Sequence, residues 1–242
     1  MKLILVIFSL IFIPHPQSVF AQASYDTSKG NSSANYLLTR YQFEAGDRLH
    51  LYSGSEYVSR GNGVKGTAFL NSGDIVKGTV YFEGRQYNNI PLQYDMESDE
   101  VVIRDFNNNY NISLVKEKTA GFILDGHEFV RLFPDSINTL TKEWFYELLF
   151  NDKLKVWAKR QKRITYTIST EGTVNRFTQT NEYFLEKDGR FYSVDGERAL
   201  LSVLKDKRTL LKKYKSDNKI KFGKNPEEGI IQMSRYYSQQ KG

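Results

Sequence analysis

From residue 36 onward the chain is a succession of short alternating segments, each stopped within a few residues by Gly, Asn or Asp. Nothing else in the sequence limits the fold as tightly. Residues 66–70 (GTAFL), 78–82 (GTVYF), 90–94 (IPLQY), 100–105 (EVVIRD), 110–115 (YNISLV), 121–124 (GFIL) and 128–132 (EFVRL) read as strands. At such close spacing, with turn residues between them, they form antiparallel hairpins. Asp125-Gly126 is the best-marked turn of this half, because both residues accept the positive φ of a two-residue hairpin loop.

The rhythm continues past residue 140 in a more basic composition. Residues 144–150 (WFYELLF), Asn151-Asp152 and 154–158 (LKVWA) make a hairpin, and residues 164–169 add a strand. Residues 183–185, the turn Asp188-Gly189 and residues 191–194 make another hairpin. After Val194 the period becomes helical, with Ala199, Leu200, Val203 and Leu204, then Leu210, Leu211 and Tyr214. Asp206 is placed to cap the second of these helices. The last helix has the clearest start: Asn225 at the cap, Pro226 in the first turn and Glu228 three residues after the cap, ahead of Ile230, Ile231, Met233, Tyr236 and Tyr237. The expected fold is mainly β (α+β). An antiparallel meander, sandwich or open barrel covers residues 36–194, with 134–143 as a point where two sub-sheets would meet. A basic helical tail, 195–242, packs on it. An aromatic content of 14% leans the same way, since aromatics suit pleated, half-buried surfaces.

Residues 1–23 stand apart. Lys2, the apolar run 3–13 (LILVIFSLIFI), Pro14 and Pro16, then Ala21 and Ala23 have the layout of a secretory signal peptide. The run falls well short of the ~20 residues a bilayer span needs, so the mature chain is expected to have no transmembrane span. Residues 24–35 (SYDTSKGNSSAN) read as a flexible leader. Cysteine is absent, which leaves no disulfide, no thiolate metal site and no lipidated N-terminal Cys. Export without disulfides fits a bacterial envelope.

Charge is divided unevenly. Residues 24–141 hold 11 Lys and Arg against 15 Asp and Glu, and residues 142–242 hold 22 against 13. Either the halves neutralise each other or the basic half meets an anionic partner. The densest basic stretch, 205–224 (KDKRTLLKKYKSDNKIKFGK), would form an amphipathic helix. Lys207, Arg208, Lys212, Lys213 and Lys215 would flank its stripe of Leu210, Leu211 and Tyr214. These five cations are the candidate binding residues for an anionic glycan or lipid, or for an envelope protein. A second basic run, 153–163 (KLKVWAKRQKR), falls on a strand and carries Trp157, but export argues against a nucleic-acid partner.

Catalytic signatures are weak. His127 follows the Asp125-Gly126 turn and has Asp125 and Glu128 nearby, yet no nucleophile-elbow or zincin spacing accompanies it. His50, between Leu49 and Leu51, reads as an outward strand residue. Asp95, Glu97, Asp99 and Glu100 crowd one segment as calcium ligands do, but lack the glycine and spacing of a calcium loop, so a solvated hairpin tip is expected. That segment is also a candidate dock for the basic half. No catalytic residue, cofactor or metal site is assigned. The aromatics are expected in the core rather than on a sugar platform.

The stretches 78–95 (GTVYFEGRQYNNIPLQYD), 124–133 (LDGHEFVRLF), 146–162 (YELLFNDKLKVWAKRQK) and 210–237 (LLKKYKSDNKIKFGKNPEEGIIQMSRYY) together resemble a group of secreted, uncharacterised proteins of Bacteroidota. The resemblance runs from about residue 66 to residue 237. It implies a Gram-negative periplasm or outer envelope and no particular activity. The leading expectation is therefore a non-enzymatic envelope binding or scaffold protein using a β face and the basic helix. The alternatives are a lipid carrier curled round an apolar ligand, and a hydrolase of envelope polymers built on His127.

Overall fold

A computed structural model describes residues 50–242 except 62, 106–108, 136–138, 170–171, 224 and 241–242. The expected signal peptide and leader lie outside the described residues. One open antiparallel sheet holds eleven strands among those described: β1 (Ser55–Glu56), β2 (Val76–Phe82), β3 (Arg85–Asp95), β4 (Glu100–Arg104), β5 (Asn111–Ser113), β6 (Thr119–Leu124), β7 (His127–Leu132), β8 (Trp144–Asn151), β9 (Lys155–Ser169), β10 (Gly172–Lys187) and β11 (Arg190–Ser193). The spatial order is β1-β5-β4-β3-β2-β6-β7-β8-β9-β10-β11. It is mostly a meander, and β7 pairs with β8 across residues 133–143, so the sheet runs on without a break there. Asp125-Gly126 (φ 53° and 80°) and Asp188-Gly189 (φ 54° and 72°) make their hairpins as expected. Glu83-Gly84, with φ 49° and 74°, makes a third.

Three sequence expectations are corrected. Residues 66–70 are not a strand; they make one bridge, Phe69 to Asp95. The segments 154–158 and 164–169 are parts of one strand, β9, and residues 183–185 are the end of a 16-residue strand, β10. His50 is exposed but lies with buried Leu51 in a helical turn, not in a strand.

The sheet is strongly curled. In a flat sheet β3 and β8, four strand spacings apart, would be separated by ~19 Å. Instead the rings of Tyr94 and Phe145 lie 6.1 Å apart, and the Phe145 N–H donates to Asp99 Oδ1 at 3.1 Å. Two glycines accept the close approaches that curling needs. A Cβ on Gly78 would sit 2.2 Å from the Ile123 carbonyl oxygen, and one on Gly121 2.4 Å from that of Phe129. Register shifts fall beside both. Tyr94, Phe122, Phe129 and Phe145 pack against one another inside the curl, with Val80, Phe82, Leu92 and Ile103 around them.

Three helices, α1 (Glu197–Val203), α2 (Arg208–Asp217) and α3 (Glu227–Gln239), cover the later strands. Leu200, Leu204, Leu211, Ile230 and Met233 meet Val156, Ala158, Tyr183 and Leu185 in a second core. On the opposite sheet face Trp144, Tyr146, Trp157 and Phe184 cluster under Leu140. The last helix starts one residue later than expected, with Pro226 at the cap position; Asn225 Oδ1 accepts the Glu227 N–H at 3.3 Å from just before it. Asp206 does not cap α2. Its carboxylate accepts from Lys187 Nζ at 3.0 Å and from the Tyr237 hydroxyl at 2.8 Å, tying the α1–α2 connection to β10 and α3.

Candidate functional site

Alternation along β7, β8 and β9 puts His127, Glu147 and Arg160 on the helix-covered side of the sheet, between its two main cores. His127 Nδ1 lies 2.5 Å from Glu147 Oε1. The other oxygen, Glu147 Oε2, accepts from Arg160 Nε at 2.6 Å, and Arg160 Nη1 donates to Glu227 Oε2 at 2.6 Å. Glu227 Oε2 also accepts the Tyr183 hydroxyl at 3.0 Å. Burial works against the charge of Arg160, but hydrogen bonding and attraction from Glu227 and Glu147 outweigh it and raise its pKa. This chain of groups clamps the start of α3 to four strands, β7 to β10.

The neighbours that the sequence offered His127 are not its partners. Asp125 accepts from Asn71 Nδ2 at 2.9 Å, and Glu128 points to the opposite face of β7. Glu147 could have been noticed as the lone charged residue of WFYELLF, but only the β7–β8 register brings it to His127.

The acidic segment at the β3–β4 turn is not a solvated tip. Asp99 is fully buried and is met by the Tyr94 hydroxyl at 2.6 Å, the Phe145 N–H and Lys116 Nζ. Burial pushes its carboxyl above the ordinary range, while the hydrogen bond from Lys116 pulls the other way. Asp95 is likewise buried and accepts the Tyr57 hydroxyl at 2.7 Å. Among the described residues no group of three or more His, Asp and Glu is arranged to hold a metal ion.

A cleft of about 570 Å³ opens at the edge of β10. Its floor is Gln179 to Tyr183, its far wall Ser193 and Asp195, and its rim Gly223, Asn225 and Pro226 at the start of α3. β11 pairs with β10 only from Phe184 to Lys187, so no described strand covers the edge where the cleft lies.

The five basic candidates divide. Lys207 turns inward, donating to the Gln240 carbonyl at 3.0 Å beside the Tyr237 ring, and Lys215 pairs with Glu197 at 2.6 Å. Arg208, Lys212 and Lys213 are exposed and make no ion pair among the described residues. The expected apolar stripe also divides. Leu211 is buried and Tyr214 stacks on Tyr236 at 3.9 Å, but Leu210 is 47% exposed, beside Lys213 and about 160° round the helix from Arg208 and Lys212. The second basic run is spent internally: Lys155 pairs with Glu186, Lys159 with Glu182, and Lys162 Nζ donates to the Thr67 and Phe69 carbonyls.

Comparison with protein-family models, curated proteins and solved structures finds no match for this chain. No helix among the described residues is long and apolar enough to cross a membrane.

Proposed function

We propose that this chain is an exported, non-enzymatic binding protein of a Gram-negative cell envelope, and that the outward face of α2 holds it to an anionic lipid surface. The observation that carries the reading is the set of three exposed cations, Arg208, Lys212 and Lys213, which make no ion pair among the described residues. Exposed cations of this kind can meet the phosphates of an anionic headgroup layer. The distribution of ion pairs supports it. Lys155, Lys159, Lys187 and Lys215 find acids within their own half of the chain. Two cross-half pairs, Arg131 with Glu143 and His127 with Glu147, take acids from the basic half and leave its positive surplus larger. Mutual neutralisation of the halves is thus the weaker account of the asymmetry. The carrier alternative has less support, since aromatic rings pack against one another inside the curl. The hydrolase alternative has less as well, since Asp125 and Glu128 turn away from His127.

The test is partitioning of the full chain onto vesicles with and without a third of anionic phospholipid. Each surface cation contributes about 1 kcal/mol, so replacing Arg208, Lys212 and Lys213 by Gln is expected to weaken binding to anionic vesicles ~100-fold. The thermal midpoint should not move, because none of the three makes an ion pair among the described residues. Equal binding of both proteins, or equal binding to neutral vesicles, would remove α2 from the account; capture by a soluble polyanionic glycan alone would replace the lipid.

A further inference from the structure

The interrupted edge of β10 has a second use. Along this strand the odd-numbered residues direct their backbone groups away from β9. The Asn175 carbonyl accepts the Lys65 N–H at 2.9 Å, the Phe177 N–H donates to the Lys65 carbonyl at 3.0 Å, and the Tyr183 carbonyl accepts the Val194 N–H at 2.8 Å. Between these two covered stretches, Gln179 and Asn181 turn their N–H and C=O groups outward and have no backbone partner among the described residues. The cleft lies over this gap. A sheet edge with unpaired donors and acceptors is a template for another strand, and here neighbouring pairing bounds the template at both ends.

We propose that the cleft takes an extended peptide segment of about five residues, which completes the sheet edge by pairing with Gln179 and Asn181 and places a Lys or Arg side chain against Asp195. Charge selects that side chain. The cleft carries the carboxylates of Glu182 and Asp195; Lys159 already holds Glu182, whereas Asp195 has no ion-pair partner among the described residues. A second copy of β10 is a poorer occupant. It would bring its own β11 and its own Lys65 segment to the same edge, and both would collide with the walls that bound the gap. A sugar is poorer too, because Tyr183 is buried and leaves no ring face open for stacking. This site is separate from α2 and stands or falls independently of it.

The experiment selects a displayed library of random seven-residue peptides on the full chain, then reads amide hydrogen exchange with the best binder. Enriched peptides are expected to carry Lys or Arg and to lack Pro at the central positions. The Gln179 and Asn181 amides, unprotected in the free protein, should become at least tenfold slower to exchange when peptide is added. Asn181→Pro removes an outward donor without touching the β9 ladder, and Asp195→Lys reverses the charge on an exposed side chain. Each is expected to weaken binding at least tenfold, and Asp195→Lys retains the fold if Asn181→Pro does not. Failure to enrich any peptide, binding without protection of Gln179 and Asn181, or full binding by Asp195→Lys would overturn the proposal.

Discussion

Arg160 joins two carboxylates that come from different elements, Glu147 on β8 and Glu227 on α3. It is buried, and it is the link between a strand carboxylate that also holds His127 and a helix carboxylate that also holds Tyr183. Truncating one partner of a buried ion network strands the others, at a cost of about 3–5 kcal/mol. Arg160→Ala is therefore expected to lower unfolding stability by that amount in urea, with α3 the first element to lose amide protection. Arg160→Lys should recover only part of it, because one ammonium cannot reproduce the fork that engages Glu147 and Glu227 separately. This network was illegible in the sequence. Asp125 and Glu128 are the near neighbours of His127 along the chain, but alternation and a hairpin turn send them elsewhere, and the true partner is a cross-strand residue 20 positions away.

At the scale of elements, the turn and period signals were legible where local chemistry decides. Asp-Gly turns and the helical spacing of the tail formed where the residues placed them. The length of β10 was not, since Gln179, Thr180, Asn181 and Glu182 show no apolar alternation and are held extended by pairing with β9. Asp206 failed as a cap because Lys187 and Tyr237 offered stronger donors. Partial burial works against its charge, but those hydrogen bonds outweigh it and hold the carboxyl below the ordinary range. The ionised form is thus favoured by folding. Its stabilisation is complete above the unfolded value near pH ~3.9 and is lost as pH falls through the lower folded value. Amide exchange in α1 to α3 is expected to accelerate below that pH, and Asp206→Asn should flatten the acid limb. An unchanged acid limb would show that the anchor contributes nothing.

For the whole molecule, the sequence indicated an antiparallel meander but left open whether it made a sandwich or a barrel. Periodicity reports which residues share a face, not how sharply the sheet bends. The bend depends on close approaches at Gly78 and Gly121, where carbonyl oxygens occupy the space of a side chain. Gly121→Val should therefore destabilise by about 1–3 kcal/mol or more, as overpacking does, and a thermal midpoint equal to that of the parent would show that the curl needs no glycine there. From β7 to β11 every strand pairs with its predecessor, so that half of the sheet can grow hairpin by hairpin. Among the described strands the β1–β5 and β2–β6 pairings join elements that are not consecutive, the latter setting Val80 beside Phe122, and the Lys65 segment reaches further, to β10. Hairpins form in about 1–10 μs, whereas distant pairings wait on loop closure. The same strand order that shapes the static sheet thus imposes a timetable. The later strands are expected to form first, with the β2–β6 seam closing after them.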